Sequence, residues 1–181
     1  SEDYHIRKAA AIALGSRFTE GAKRALRTII ESDKNDEVAA TAIVSMSSID
    51  PSLGVEYFKT LLGRSSWYET VKIGALTAIE HLADGKFVPL LKEYASLRYN
   101  YGVRQQALKA WAACSSADPQ LIDALISFAK TDILPVRTTA IELLGNLRVE
   151  RSLPALQEVS DRNGDSDIRK AAIDAIEKIK R

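Results

Sequence analysis

The sequence predicts an all-α protein of the α-solenoid class, with five helical hairpins of about 32 residues and a C-terminal capping helix. A short pattern recurs six times, and its apolar positions fall on one face of a helix. Turn-forming residues separate the helical segments, and no segment has the alternation of a β-strand. One hairpin cannot bury its own apolar face, whereas stacked hairpins can. We therefore expect eleven main helices in antiparallel pairs.

Each copy opens with a β-branched residue, and the openers are spaced 32 or 33 residues apart. They are Ile6, Val38, Val71, Val103, Val136 and Ile168. Four residues after each opener stands an alanine: Ala10, Ala42, Ala75, Ala107, Ala140 and Ala172. Apolar residues also occupy the fifth and eighth positions after the opener, which completes one helical face. Alanine at a fixed position predicts close helix–helix approach, so all six are expected to be buried.

The second helix of each hairpin follows a short turn rich in Asp, Gly, Pro and Ser. Pro51 and Pro119 suit the first turn of such a helix, where a missing N–H costs nothing. The chain is predicted to be a single domain over residues 1–181. Its repeats open at residues 6, 38, 71, 103 and 136, and its capping helix covers 168–181.

A basic residue follows the opener in five of the six copies, and Ala39 takes that place in the second. The five are Arg7, Lys72, Arg104, Arg137 and Arg169. Acidic residues such as Asp132 and Asp165 precede the openers. We interpret these residues as a ladder of ion pairs that ties neighbouring copies in register, with phosphate recognition as the alternative.

Composition argues against several kinds of site. A net charge of +1 provides no general attraction for nucleic acid or anionic membranes, and no apolar run reaches the ~20 residues of a membrane span. His5, His81 and Cys114 fall in different copies, and no phosphate-binding glycine loop occurs. Cys114 is expected to be a buried structural thiol. The sequence therefore predicts no catalytic residue, no metal and no cofactor.

Candidate binding residues come from two repeat positions. Trp67 and Tyr99 stand four residues before an opener, with Tyr101 close by, and they suit either packing between repeats or a partner-binding edge. Arg27, Lys59 and Lys92 stand 21 residues after their openers. This basic row is either a solvated face or a site for an anion such as a peptide carboxylate.

The segments "VRTTAIELLGNL", "SLPALQEVSD" and "IRKAAIDAIEKI" resemble HEAT repeats, which are armadillo-like in fold, in the short form also seen in phycobilisome-lyase-like proteins. This resemblance covers the whole chain and implies a scaffold that binds a protein partner. The stretch from Ser65 to Ala113 also resembles the C-terminal helical-repeat domain of aminopeptidase N-type zinc aminopeptidases. That resemblance implies an accessory domain beside a catalytic domain, where it shapes peptide access. The zinc motif H-E-x-x-H is absent, so no catalytic residue is carried over.

Two functions therefore stay open: a C-terminal accessory domain of a peptidase and a free-standing scaffold for a protein partner. The first helix favours the former. Its segment "AAAIALG" is apolar on nearly every side, which suits a helix covered by an upstream domain. We expect Ala9, Ile12 and Ala13 on its outer side to be exposed in the isolated chain. The last helix is rich in charge, as a capping helix should be.

Overall fold

The computed structural model describes residues 3–62, 69–162 and 164–181, with the backbone alone at 54–56 and 58–60. Within these residues the fold is all-helical, as predicted, with eleven α-helices and no strand. The helices are α1 (Tyr4–Leu14), α2 (Glu20–Ser32), α3 (Asp36–Ile49), α4 (Pro51–Leu62), α5 (Thr70–Leu82), α6 (Val88–Tyr94), α7 (Tyr101–Cys114), α8 (Pro119–Thr131), α9 (Leu134–Asn146), α10 (Leu153–Arg162) and α11 (Ser166–Lys180). Short 3-10 segments, Gly85–Phe87 and Glu150–Ser152, precede α6 and α10.

The helices form two compact units, Ser1–Asp84 and Gly85–Arg181. In each unit the first helices of successive copies pack side by side. In unit 1, α3 lies against both α1 and α5, and in unit 2, α9 lies against both α7 and α11. Each second helix packs on the first helix of the following copy, as α2 does on α3 and α10 does on α11. Both units therefore use the stacking that the repeat predicts.

Local chemistry explains where the helices begin. The side chains of Asp3, Thr19, Asn35, Asn100, Asp118 and Asp165 accept hydrogen bonds from backbone N–H groups of the first turn. These bonds satisfy donors that have no partner within the helix. Pro51 and Pro119 begin α4 and α8, as predicted.

The repeat face forms the core, with one correction at the first copy. The openers and alanines of copies two to six are fully buried. In copy one Ile6 is 58% exposed and Ala10 is exposed, so the prediction that every repeat alanine is buried was wrong there. Among the described residues, no helix of unit 1 covers this side of α1, which buries Ala11 instead. The last copy shows the opposite arrangement to the first. Its opener and alanine are buried, whereas Ile173, five residues after the opener, is half-exposed.

The predicted ladder of ion pairs is present at two junctions. The Arg7 guanidinium donates from two nitrogens to the Asp33 carboxylate, at 2.7 and 3.0 Å. Arg104 and Asp132 form the equivalent pair, in which both side chains are almost fully buried. In each pair the arginine of one copy holds the acid that precedes the next opener. Asp132 therefore forms its ion pair with Arg104, the arginine of the preceding copy.

Two of the close approaches between first helices occur at the same repeat position. A Cβ built on Gly15 would lie 2.8 Å from Ser45 Cβ, and one on Gly145 would lie 2.8 Å from Ala175 Cα. Both glycines stand nine residues after their openers, and both neighbours stand seven after theirs. The same contact therefore occurs in both units, with the backbones packed too closely for a side chain on the glycine.

Candidate protein-binding surfaces

The predicted basic row is divided between different environments. Arg27 is exposed on α2 and has no ion pair among the described residues, and Arg24, one turn before it, is likewise exposed and without an ion pair there. Lys92 Nζ, on α6, lies 2.7 Å from Gln120 Oε1 and 3.1 Å from Asp118 Oδ2. Lys59 lies in α4, and its side chain is outside the described residues. Of the row, Arg27 presents a free cation, whereas Lys92 bonds within the chain.

Asp118 explains why Lys92 is engaged. Its carboxylate also accepts hydrogen bonds from Trp111 Nε1 at 3.0 Å and from the Gln120 backbone N–H at 2.9 Å. Burial raises the pKa of Asp118, but these bonds and Lys92 outweigh it and lower the pKa below its usual value. The Lys92 ammonium also lies 5.2 Å from the Trp111 ring centroid. An external anion at Lys92 would have to displace these contacts.

The predicted aromatic edge is described in part. Trp67 lies outside the described residues. Tyr99 is partly exposed, its ring centroid lies 4.5 Å from that of Tyr94, and its hydroxyl donates to Glu93 Oε1 at 3.3 Å. Tyr101 begins α7 and is 50% exposed. Tyr99 therefore packs against α6, the helix that precedes it, and Tyr101 is the more exposed of the two aromatic side chains.

The outer side of α1 is exposed and uncharged. Ala9, Ile12 and Ala13 are exposed, as predicted, and Ile6 and Ala10 extend the same surface. Just beyond the helix, Phe18 is 76% exposed. We refer to the exposed residues Ile6, Ala9, Ala10, Ile12 and Ala13 as the α1 face. A contiguous apolar surface of this kind marks an interaction site more often than scattered exposed residues do.

The α1 face continues into a groove between α1 and α3. This groove has a volume of about 420 Å³. The described residues that line it are all uncharged, and they are Ile12, Gly15, Ser16, Thr41, Val44, Ser45 and Ser48. The close approach of Gly15 to Ser45 forms part of it. The α3 wall of this groove was not predicted from the sequence. Val44 could have indicated this wall, because it stands six residues after its opener, the same repeat position as Ile12 on α1.

A second hollow, in unit 2, is basic. It has a volume of about 280 Å³ and is lined by Lys130, Arg137, Glu158, Val159, Arg162 and Gly164. Lys130 and Arg162 both lie beside the Glu158 carboxylate. Lys130, together with Arg162, holds the pKa of Glu158 below its usual value. We refer to this site as the basic hollow.

The described residues contain no group of three or more His, Cys, Asp or Glu side chains placed to hold a metal ion. His5 and His81 are exposed on α1 and α5. Cys114, predicted to be buried, is partly exposed at the end of α7. Of the helices that the structure describes, none has the length and apolar character needed to cross a membrane.

Comparison with known proteins supports the repeat. Residues 100–177, which contain α7 to α10 and most of α11, match the family model described as HEAT repeats. Comparison with curated proteins finds no match. Among solved structures, the complex of CpcE and CpcF of phycocyanin lyase from Nostoc sp. PCC7120 matches with a TM-score of 0.49 and 15% sequence identity. That alignment covers 99% of this chain and 91% of that one.

Proposed function

We propose that this chain is a non-catalytic helical-repeat scaffold that binds a protein partner through the α1 face. The partner contributes an α-helix whose contacting side is small and apolar. The α1 face carries the proposal, because it exposes the opener and alanine positions that are buried in the five other copies.

The repeat itself indicates what covers such a face. Val38 and Ala42 on α3 are fully buried, and α3 packs against α1. At the equivalent positions α1 presents Ile6 and Ala10, a branched residue and a methyl group that suit a second helix at close range. The absence of charge means that such a helix would bury no unpaired ion. Stacked helical repeats form binding surfaces in this way.

The accessory-domain hypothesis also accounts for an uncovered α1 face, with an upstream domain as the partner. It receives no support from the comparisons, because neither the matched family model nor the structure named above belongs to a peptidase. The independent scaffold therefore fits these findings better, and the two hypotheses differ in whether the partner is a separate chain.

A photocrosslinking amino acid at Ile6, with a second version at Ile173 as control, tests the proposal in cells. Both positions are exposed isoleucines on first helices, 58% and 49% exposed. We expect a partner protein to be crosslinked from Ile6 and not from Ile173. Purified partner should then bind the wild-type chain, with affinity at least about tenfold lower for Ile6→Glu and unchanged for Ile173→Glu, because a buried unpaired carboxylate is costly.

Equal crosslinking from the two positions, or unchanged affinity for Ile6→Glu, would remove the α1 face from the interaction. Crosslinks that join two copies of this chain would replace the partner with self-association. Sedimentation of the wild-type chain and Ile6→Glu identifies that outcome, because self-association through the α1 face depends on concentration and is lost in the variant.

A further inference from the structure

The ladder of ion pairs is broken at one junction of unit 2. Arg7 and Arg104 each hold an aspartate that lies five or four residues before the next opener, Asp33 and Asp132. Arg137 is the equivalent arginine of the fifth copy. Five and four residues before the following opener, Ile168, stand Asn163 and Gly164, neither of which is an acid.

Arg137 consequently has no acid partner among the described residues. Its Nε donates to the backbone carbonyl of Ala129 at 3.2 Å, and this is the one hydrogen bond of its guanidinium to the described part of the chain. The side chain is partly buried and lines the basic hollow together with Gly164. The terminal nitrogens, which in Arg7 and Arg104 reach a carboxylate, are left available.

The surroundings of Arg137 favour an anion. The lining of the basic hollow contains three cations, Lys130, Arg137 and Arg162, against one carboxylate, Glu158. Lys130 and Arg162 share that carboxylate, so it does not neutralise Arg137. The hollow reaches Gly164, the position equivalent to Asp132, and a Cβ built there would have no described atom within 4 Å apart from those of Gly164 and its chain neighbours.

We propose that the basic hollow binds a side-chain carboxylate of a protein partner, which takes the place of the missing ladder aspartate at Arg137. The chemistry follows from the intact Arg7–Asp33 pair of this same chain, in which an arginine fork binds one carboxylate through two nitrogens. The site lies in unit 2 and does not depend on the α1 face, so either proposal can fail without the other.

Titration of the whole chain, followed by NMR at the Arg137 Nε–Hε group, tests this inference. The probes are the blocked tripeptide acetyl-Gly-Asp-Gly-amide, its Asn analogue and inorganic phosphate. We expect a saturable shift with the Asp peptide, with a dissociation constant of about 1–10 mM as suits a single exposed ion pair. The Asn peptide should bind at least about tenfold more weakly.

Gly164→Asp, with Gly164→Asn as its matched control, decides whether the carboxylate takes the ladder position. Gly164→Asp should abolish the response to the Asp peptide and raise Tm by about 1–3 °C relative to Gly164→Asn, since it restores the ion pair. Gly164→Asn should keep the response. An unchanged response in Gly164→Asp would overturn the proposal. Saturation by phosphate at tenfold lower concentration than the Asp peptide would instead assign the hollow to phosphate.

Discussion

The groove between α1 and α3 in unit 1 differs in its charge from the groove between α9 and α11 in unit 2. Both helix pairs contain the same close approach, Gly15 to Ser45 in one and Gly145 to Ala175 in the other. The described residues that line the first groove are all uncharged. The second, about 270 Å³ in volume, is lined by Glu142, Asp167, Asp174, Lys170 and Lys178 among others.

The difference is clearest at one repeat position. Six residues after the opener, unit 1 has Ile12 and Val44 where unit 2 has Glu142 and Asp174. Packing constrains the buried opener and alanine, whereas this outward position is free to vary. A charged groove remains well solvated without a partner, while an uncharged one exposes apolar surface. Shared packing with divergent surface chemistry therefore supports the proposal that unit 1 binds an apolar partner.

The largest expected effect compares the two intact ladder pairs. Asp132→Ala should lower the free energy of unfolding by about 3–5 kcal/mol, because it leaves the Arg104 guanidinium buried without its acid. Asp33→Ala should cost only about 1–2 kcal/mol, because Arg7 is 26% exposed and can be hydrated. Urea unfolding of both variants measures the difference. Equal costs would show that the burial of the pair does not decide its contribution.

The next effect compares a buried repeat alanine with the exposed alanine of the first copy. Ala140→Leu should destabilise the protein by about 1–3 kcal/mol, because the methyl group of Ala140 is fully buried between helices. Ala10→Leu, at the equivalent exposed position, should change stability by less than about 0.5 kcal/mol. Thermal unfolding of both variants gives the comparison. A large cost for Ala10→Leu would mean that the exposed α1 face is covered in solution.

The close approach at Gly145 predicts a smaller change in stability, and the sign of that change shows whether the contact is present. Alanine in place of a helical glycine normally stabilises a helix by about 0.5–1 kcal/mol. At Gly145 the new methyl would meet Ala175 Cα at 2.8 Å, so we expect a net loss of about 1 kcal/mol. At Gly21 in α2 the nearest atom would lie 3.9 Å away, and a gain of a few tenths of a kcal/mol is expected. Stabilisation by Gly145→Ala would contradict the close contact.

The smallest effect concerns pH. The hydrogen bond from Arg7 lowers the pKa of Asp33, so this carboxylate stabilises the folded state above its unfolded pKa of about 3.9. That contribution is lost as pH falls through the lower folded pKa. The stability advantage of the wild type over Asp33→Asn should therefore be constant above about pH 5 and shrink below pH 4. With Arg7→Gln in both proteins, urea unfolding across this range should show most of that pH dependence removed.

Much of the fold was predictable because its causes are local. Apolar spacing, turn residues and proline positions predicted eleven helices, and the repeated alanines predicted the close packing found from Ala42 to Ala172. The exposed side of α1 was predictable for the same reason, since Ala9, Ile12 and Ala13 leave no charge there. The functional candidates at Trp67, Lys59 and Arg27 remain predictions.

Tertiary structure decided which side chains meet, because each pairing joins residues about one repeat apart in the chain. Sequence alone could not show that Asp132 forms an ion pair with Arg104, or that Lys92 bonds to Asp118 and Gln120. It likewise could not show that α1 buries Ala11 and leaves Ala10 exposed, because burial depends on which neighbouring helix covers each face. A repeating sequence specifies the face that every helix offers for packing. The stacking of the copies determines which faces are covered and which remain open to a partner.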